Sequence, residues 1–275
     1  MRKFKFLSLL TAVFFASTLV FVSCSDDDDS PKNNEQDEQE SGNAGVVGES
    51  KTYTVDSVQF TMIAVEGGTF QMGSENGNSD EKPVHSVTLS SYYIGQMEVT
   101  QALWNAVMGN NPSSFKGDDL PVERVSWSDC QVFISKLNEL TGENFRLPTE
   151  AEWEFAAKGG IKSKGYIYSG SNTIGDVAWY DGNSGNKTHA VGTKTPNELG
   201  IYDMTGNVNE WCQDWYGSYS SSAQTNPADP ASGSDRVSRG GSWFNDATRC
   251  PTASRFYPAP RSTAANLGFR LALSR

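Results

Sequence analysis

Arg146-Leu147-Pro148-Thr149-Glu150-Ala151-Glu152-Trp153-Glu154 is the stretch on which the fold turns. Thr149 opens a helix as a capping box. Its hydroxyl and the Glu152 carboxylate, three residues on, each satisfy an amide that the first helical turn leaves without a partner. Trp153, Phe155 and Ala156 supply the apolar side of that helix. Glu150, Glu152 and Glu154 read as cap, ion-pair and helix-face residues rather than acid–base catalysts.

Two more helices precede it. Thr100 caps a helix over Gln101 to Met108. Ser126, with Asp129 at the third position, caps another in which Cys130, Phe133, Ile134, Leu137 and Leu140 recur at helical spacing until Gly142 stops it. Strand signals are short. Phe60 to Val65 and Thr69 to Met72 flank Glu66-Gly67-Gly68, the pattern of a hairpin, and Val84 to Leu89 and Tyr92 to Ile94 follow. After Ala157, Gly, Asn, Ser, Asp and Pro dominate. So long a region without extended elements normally signals disorder. The aromatic residues in it, part of a chain with 7 Trp, 10 Tyr and 14 Phe, point instead to a packed, loop-rich α+β fold.

The N-terminal end has a different character. Arg2, Lys3 and Lys5 precede an apolar run from Phe6 to Val22, and Ser23-Cys24 closes it. A basic start, an apolar core and a small residue before the cut make a secretory leader over residues 1–23. A membrane-spanning helix is the competing reading, but the run is at the lower edge of spanning length. Cys24 after a small residue, with polar sequence beyond, resembles a lipobox and makes Cys24 the lipidation site. Buried acyl chains would then tether the protein to a membrane. Asp26-Asp27-Asp28-Asp29 resembles the acidic tract behind the lipidated Cys of surface-exported lipoproteins. The expected location is therefore the outer membrane, at the cell surface, with an inward-facing outer-membrane lipoprotein as the alternative.

Residues 24–50 are too polar to bury a core and read as a flexible acidic stalk. A domain over residues 51–275 follows. The whole chain carries a net charge of −11; residues 25–50 hold nine acids against Lys32, and the leader holds three bases, so the domain is close to −6. That balance argues against nucleic acid as a partner. Beyond Cys24 there remain Cys130, Cys212 and Cys250, which allow at most one disulfide.

Seven segments carry a family resemblance. They are Gly67-Gly68-Thr69-Phe70-Gln71-Met72-Gly73, Tyr93-Ile94-Gly95-Gln96-Met97-Glu98-Val99-Thr100, Pro121-Val122-Glu123-Arg124-Val125-Ser126-Trp127, the Arg146–Glu154 stretch, Gly200-Ile201-Tyr202-Asp203-Met204-Thr205-Gly206-Asn207-Val208-Asn209-Glu210-Trp211, Arg239-Gly240-Gly241-Ser242-Trp243 and Asn266-Leu267-Gly268-Phe269-Arg270. In this order they resemble the formylglycine-generating-enzyme, or sulfatase-modifying-factor, domain over roughly residues 58–273. The resemblance implies an α+β fold of the formylglycine-generating-enzyme type, C-type-lectin-like, loop-rich and low in regular structure. It also implies an oxidase that uses O₂ and copper(I) to convert a sulfatase Cys to formylglycine.

The metal positions are where this chain departs from the family. Two Cys hold the family's copper, because soft thiolates select Cu(I). Here the first position is Asn245 and the second is Cys250. Ser242 and Asn266 match other pocket positions, so the frame is present without its full metal centre, and copper is not expected. Cys212 would complete a two-thiolate site only if the fold brought it beside Cys250; a Cys212–Cys250 disulfide is the simpler expectation in an oxidising compartment. The resemblance also places a structural calcium on the residues matching Asp203, Gly206, Val208 and Glu210, where two carboxylates and two carbonyls suit a hard cation. The alternative is that Asp203 and Glu210 cap turns or pair with Arg. Asn209 stands where the family usually has Trp.

Other residues carry less. His85 and His189 are isolated. Ser242 has no evident His or Asp partner for a hydrolase triad. The arginines Arg239, Arg249, Arg255, Arg261 and Arg270 are expected to order carbonyl-rich loops.

Two functions are compatible with this pattern. One is a tethered protein that keeps the fold without the oxidase chemistry and serves ligand binding or envelope assembly. Its binding face would be Phe244, Asn245, Asp246, Arg249, Phe256, Tyr257 and Arg270; most of these lie in the segment Phe244 to Ala265, which also resembles the variable region of retroelement-diversified lectin-like proteins, and its partner would be a surface ligand or an envelope protein. The other is a sulfatase-maturating oxidase with altered metal ligands.

Overall fold

The computed structural model describes residues 49–228 and 230–275. The leader, Cys24 and the acidic tract lie outside them. Strand β1 (Ser50–Val55) turns at Asp56 and Ser57, both at positive φ, into β2 (Val58–Val65). This is the hairpin of the N-terminal region, and the pairing expected between Phe60–Val65 and Thr69–Met72 does not form. Strand β3 (Gly68–Met72) pairs instead with β4 (His85–Leu89), in a different sheet. The reason lies at Gly67. A Cβ there would stand 2.5 Å from the Leu89 carbonyl oxygen, and its amide donates to Ser91 Oγ at 3.0 Å, so the link is pinned to the β4 side and carries the chain from one sheet to the next.

Strand β5 (Tyr92–Gly95) lies against β2. With β6 (Phe145–Arg146) and the C-terminal β12 (Ala272–Ser274) it completes a five-stranded sheet of order β1-β2-β5-β12-β6. A second sheet has the order β10-β9-β7-β11, from β7 (Asn209–Trp215), β9 (Arg236–Arg239), β10 (Arg255–Phe256) and β11 (Leu267–Gly268). Strand β8 (Gln224–Thr225) adds to β4 in the third sheet.

The three helices begin and end where their caps dictate. Thr100 Oγ1 accepts from Leu103 N and starts α1 (Gln101–Met108). Ser126 and Asp129 form a full capping box on α2 (Trp127–Thr141), and Gly142 ends it at φ +74°. Cys130, Phe133, Ile134 and Leu137 are buried, but Leu140, expected with them, is 59 % exposed. Thr149 and Glu152 box the start of α3 (Glu150–Ala157). A short α4 (Ile174–Val177) follows in the loop-rich half. Among the described residues no helix is long and apolar enough to cross a membrane.

Helices α1 and α2 pack on the five-stranded sheet. Trp104 stacks on Phe133 at 5.2 Å, and Phe269 meets both rings edge-on. Helix α3 is buried on every side, beside Val65, Val87, Tyr92, Cys212 and Val237. Three glutamates on a buried helix require three sets of partners, since an unpaired buried charge costs several kcal/mol. Glu152 takes Arg146 at 2.6 Å, Glu150 takes Arg255 at 2.7 Å, and Glu154 takes Lys158 at 2.6 Å together with Arg239. Burial pushes the Glu154 carboxyl up, but the Lys158 and Arg239 charges outweigh it and hold it below the ordinary range.

Those arginines also fix the irregular half. Arg239 donates to the carbonyls of Thr252, Ala253 and Ser254, Arg255 to those of Asp80 and Gly217, and Arg270 to those of Gly95 and Tyr202. Long loops thus stay packed without regular elements, because guanidinium forks replace the missing ladder bonds. Arg249 does not share this role; its guanidinium lies over the Phe256 ring, 4.8 Å from the centroid.

Candidate functional site

Strand β9 ends at Arg239, and Gly240 and Gly241 turn the chain at φ +98° and +72°. A Cβ on Gly241 would sit 2.7 Å from Cys250 Sγ, so glycine is required both for the turn and for the close approach. Ser242 follows, fully buried. Its hydroxyl donates to Asn245 Oδ1 at 2.6 Å and accepts from Asn266 Nδ2 at 3.2 Å. Asp246 caps the short turn Ala247–Arg249 by accepting from Thr248 N at 2.8 Å, and that turn delivers Cys250 back beneath Ser242. The fold therefore brings Ser242, Asn245, Cys250 and Asn266 together, as the sequence implied.

What it assembles there is a neutral hydrogen-bonded cluster. Cys250 is fully buried, and burial pushes its thiol up to about 12. Its Sγ donates to the Asp246 carbonyl at 3.4 Å. Asn245 supplies a carboxamide already held by Ser242. One thiol and one amide do not supply the two thiolates of a copper(I) site of that kind.

The Cys212–Cys250 disulfide expected from the sequence is not formed. Cys130, Cys212 and Cys250 are all free and buried. Cys212 is on β7 in the core against α3, while Cys250 is held under the Gly240-Gly241 turn, so each thiol is fixed by its own packing.

The outer surface of this segment is aromatic and polar. Phe244 and Tyr257 are 65 % and 54 % exposed. Tyr257 packs on Tyr216 at 4.4 Å, and Phe244 meets Trp243 edge-on at 5.5 Å. Beside Tyr257 lies an open cavity of about 420 Å³, bordered by Asn209, Arg249, Phe256, Tyr257 and Asn266. Arg270, expected on this face, is elsewhere. It is fully buried and its guanidinium is bound to Glu210 by two bonds of 2.5 and 2.6 Å.

The Asp203–Glu210 loop sits beneath. Asp203 and Asn207 take positive φ, and Gly206, at φ +84°, has the Trp179 carbonyl oxygen 2.4 Å from where a Cβ would be. Asp203 Oδ2 accepts from Gly192 N at 2.6 Å, whereas Oδ1 is buried with no partner. Glu98 lies against the same loop, accepting from Asn207 Nδ2 at 3.0 Å and Val208 N at 3.3 Å. Its part was not legible in the sequence; the one signal was an acid between the apolar residues Met97 and Val99.

Three buried carboxylates, Glu98, Asp203 and Glu210, thus share the field of one guanidinium, Arg270. Burial, with the charges of Asp203 and Glu210 added, lifts Glu98 well above the carboxylate range, and burial lifts Asp203 to about 6. The unpartnered Asp203 oxygen, in a loop lined by buried carboxyl groups, fits a divalent cation, whose charge would keep those groups ionised. No three His, Cys, Asp or Glu side chains among the described residues converge closely enough to hold one alone, so main-chain carbonyls would have to contribute. Both Glu210 oxygens already accept from Arg270, and Oε2 also from Trp153 Nε1 at 2.6 Å, so its share would come from remaining lone pairs.

The two histidines are accounted for by packing. His85 lies against Tyr219, with Nδ1 3.0 Å from the Pro83 carbonyl. His189 stacks on Trp179 at 3.7 Å, with Nε2 2.7 Å from the Ser184 carbonyl.

Known proteins share this arrangement. The model of the sulfatase-modifying factor enzyme 1-like domain matches residues 47–275. The chaperone protein LppX of Paenibacillus barcinonensis is 39 % identical over 252 residues, covering 74 % of this chain and 84 % of LppX. The formylglycine-generating enzyme of Thermomonospora curvata is 29 % identical over 289 residues, covering 77 % of this chain and 92 % of the enzyme. Among solved structures, Treponema denticola variable protein 1 superposes with a TM-score of 0.77 at 40 % identity, over 82 % of this chain and 99 % of that one. The motif order, the buried Arg–Glu framework and these matches lead to one conclusion: the chain belongs to the sulfatase-modifying factor enzyme 1-like family and has the formylglycine-generating-enzyme fold.

Proposed function

We propose that this domain is a ligand-binding member of its family that has given up the oxidase chemistry, works tethered through Cys24 at the outer membrane or cell surface, and engages a protein partner through the face around Phe244, Asn245, Asp246, Arg249, Phe256 and Tyr257. One observation carries the reading. At the position that the family resemblance gives to a copper thiolate stands Asn245, whose carboxamide oxygen accepts from the Ser242 hydroxyl at 2.6 Å and cannot supply a thiolate. Large exposed aromatic residues on the same segment are the kind that dominate protein interfaces. A relative described as a chaperone supports a protein as the partner. Calcium at Asp203 and the neighbouring carbonyls would have a structural role, stiffening the loop beneath the face.

The test is copper titration. Cu(I) should bind the purified full chain no more tightly than a Cys250→Ser variant, and a Cys-Xaa-Pro-Xaa-Arg peptide should not be oxidised. High-affinity Cu(I) binding with peptide oxidation would establish the competing reading, a sulfatase-maturating oxidase with altered ligands. Asn245→Cys should create copper binding if the frame is intact. Crosslinking in cells, followed by identification of the partner, separates ligand capture from a place in envelope assembly.

A further inference from the structure

The floor of the open cavity on this face is Asn209, the first residue of β7, and it is 6 % exposed. Its amide nitrogen reaches Asn245 Oδ1 at 3.4 Å and the Asn266 carbonyl at 3.5 Å, both at the long limit of a hydrogen bond. Its Oδ1 has no partner at all. An acceptor buried in this way is destabilising until a donor meets it. Because the bonds that hold the carboxamide are weak, it can turn toward an incoming donor at small cost.

The walls above Asn209 are of another kind. Phe256, backed by the Arg249 guanidinium, and the half-exposed Tyr257 present ring surface, and Leu267 adds an aliphatic patch. Ser238, Ser262 and Asn266 also line the cavity, but of its side-chain acceptors Asn209 Oδ1 is the one left without a partner, so ring walls over this acceptor fit an occupant that is flat and apolar along its length and carries a hydrogen-bond donor at its tip. No carboxylate lines the cavity, and its one cation is stacked on Phe256, so nothing in it calls for a charged ligand.

We infer that this cavity is the anchor pocket of the binding face and receives a donor-tipped aromatic side chain, a tyrosine, from the partner protein, with Asn209 as the residue that selects the donor. This inference rests on the protein-binding reading above and makes it specific. Phenol O–H would meet Asn209 Oδ1, and the ring would lie between Phe256 and Tyr257. Side chains with an apolar body and a polar tip supply much of the energy at such interfaces.

The test uses N-acetyl-tyrosinamide and N-acetyl-phenylalaninamide as probes on the purified full chain, with saturation-transfer NMR titrations as the readout. The tyrosine probe should bind about fivefold more tightly, the worth of one net hydrogen bond. Asn209→Leu keeps the floor but removes the acceptor, and should bring the two probes to equal affinity. Asn209→Trp fills the floor and should abolish both. Retained thermal unfolding of each variant shows that it is folded. The inference is overturned if neither probe binds, if the two bind equally to the unaltered chain, if Asn209→Leu preserves the difference, or if methyl glucoside binds more tightly than the tyrosine probe. Copper titration is independent of all these outcomes. If the probes fail and copper still does not bind, the pocket assignment falls and the non-oxidase reading stands; if copper binds and the peptide is oxidised, that reading itself falls.

Discussion

Replacing Glu154 by Gln should destabilise the protein by about 3 kcal/mol, because it strands Arg239. In the native state Glu154 is fully buried and accepts from Gly73 N at 2.7 Å, from Lys158, and from Arg239, which is also fully buried. Gln keeps the shape and one acceptor but removes the charge. The Arg239 guanidinium then has only Glu150, at 3.7 Å, as a carboxylate partner. Breaking a buried pair costs about 3–5 kcal/mol, and the surviving Glu150 puts the expected loss at the lower end. For a domain of this size that corresponds to a fall in Tm of roughly 6–12 °C, measurable by circular dichroism.

The pH dependence gives a second reading of the same interaction. The Glu154 carboxyl is depressed in the folded state, so its contribution is present above the ordinary glutamate range and lost as pH falls through the folded value. The gap between wild type and Glu154→Gln should therefore be widest at neutral pH and should close below about pH 4. Replacing both partners, Glu154→Leu with Arg239→Met, should cost less than Glu154→Gln alone, since no charge is left unpaired. A Tm shift under about 2 °C, unchanged across pH, would refute the view that this pair organises the loops around Thr252 to Ser254.

Other expectations concern the site and its supports. Gly241→Ala should cost at least about 2 kcal/mol, because it sets a Cβ 2.7 Å from Cys250 Sγ at a φ of +72°; denaturant unfolding checks this. Thiol titration of the denatured, unreduced protein should find Cys130, Cys212 and Cys250 all reactive, and a single reactive thiol among them would restore the disulfide. Calcium at a hundredfold its dissociation constant should raise Tm by roughly 5–10 °C, and Asp203→Asn should remove most of that gain. An equal shift in the variant would move the cation away from Asp203.

The helices were legible because their signals are local. Thr100, Ser126 with Asp129, and Thr149 with Glu152 each satisfy amides within three residues, so sequence spacing alone locates the helix starts. That Asn245 cannot act as a thiolate ligand was equally legible, since no environment turns a carboxamide into a thiolate. Strand partnership was not. Gly67 looks like a hairpin turn, and only the approach of Leu89 and Ser91 shows that it carries the chain into another sheet. Leu140 follows the helical spacing of Phe133 and Leu137 but lies where α2 runs out past its packing partners, and it is exposed.

The sequence by itself determined the family, the starts of the three capped helices, the acidic charge and the carboxamide at position 245, because each depends on residue identity or short spacing. Tertiary structure alone decided which groups of opposite or like charge share a buried space. Arg270 became a partner of Glu210 rather than a face residue, Glu98 joined the Asp203 loop from 105 residues away along the chain, and Cys212 and Cys250 were kept as separate thiols. Electrostatic and packing energies depend on distances in space, and those distances are set by loops that carry no periodic signal.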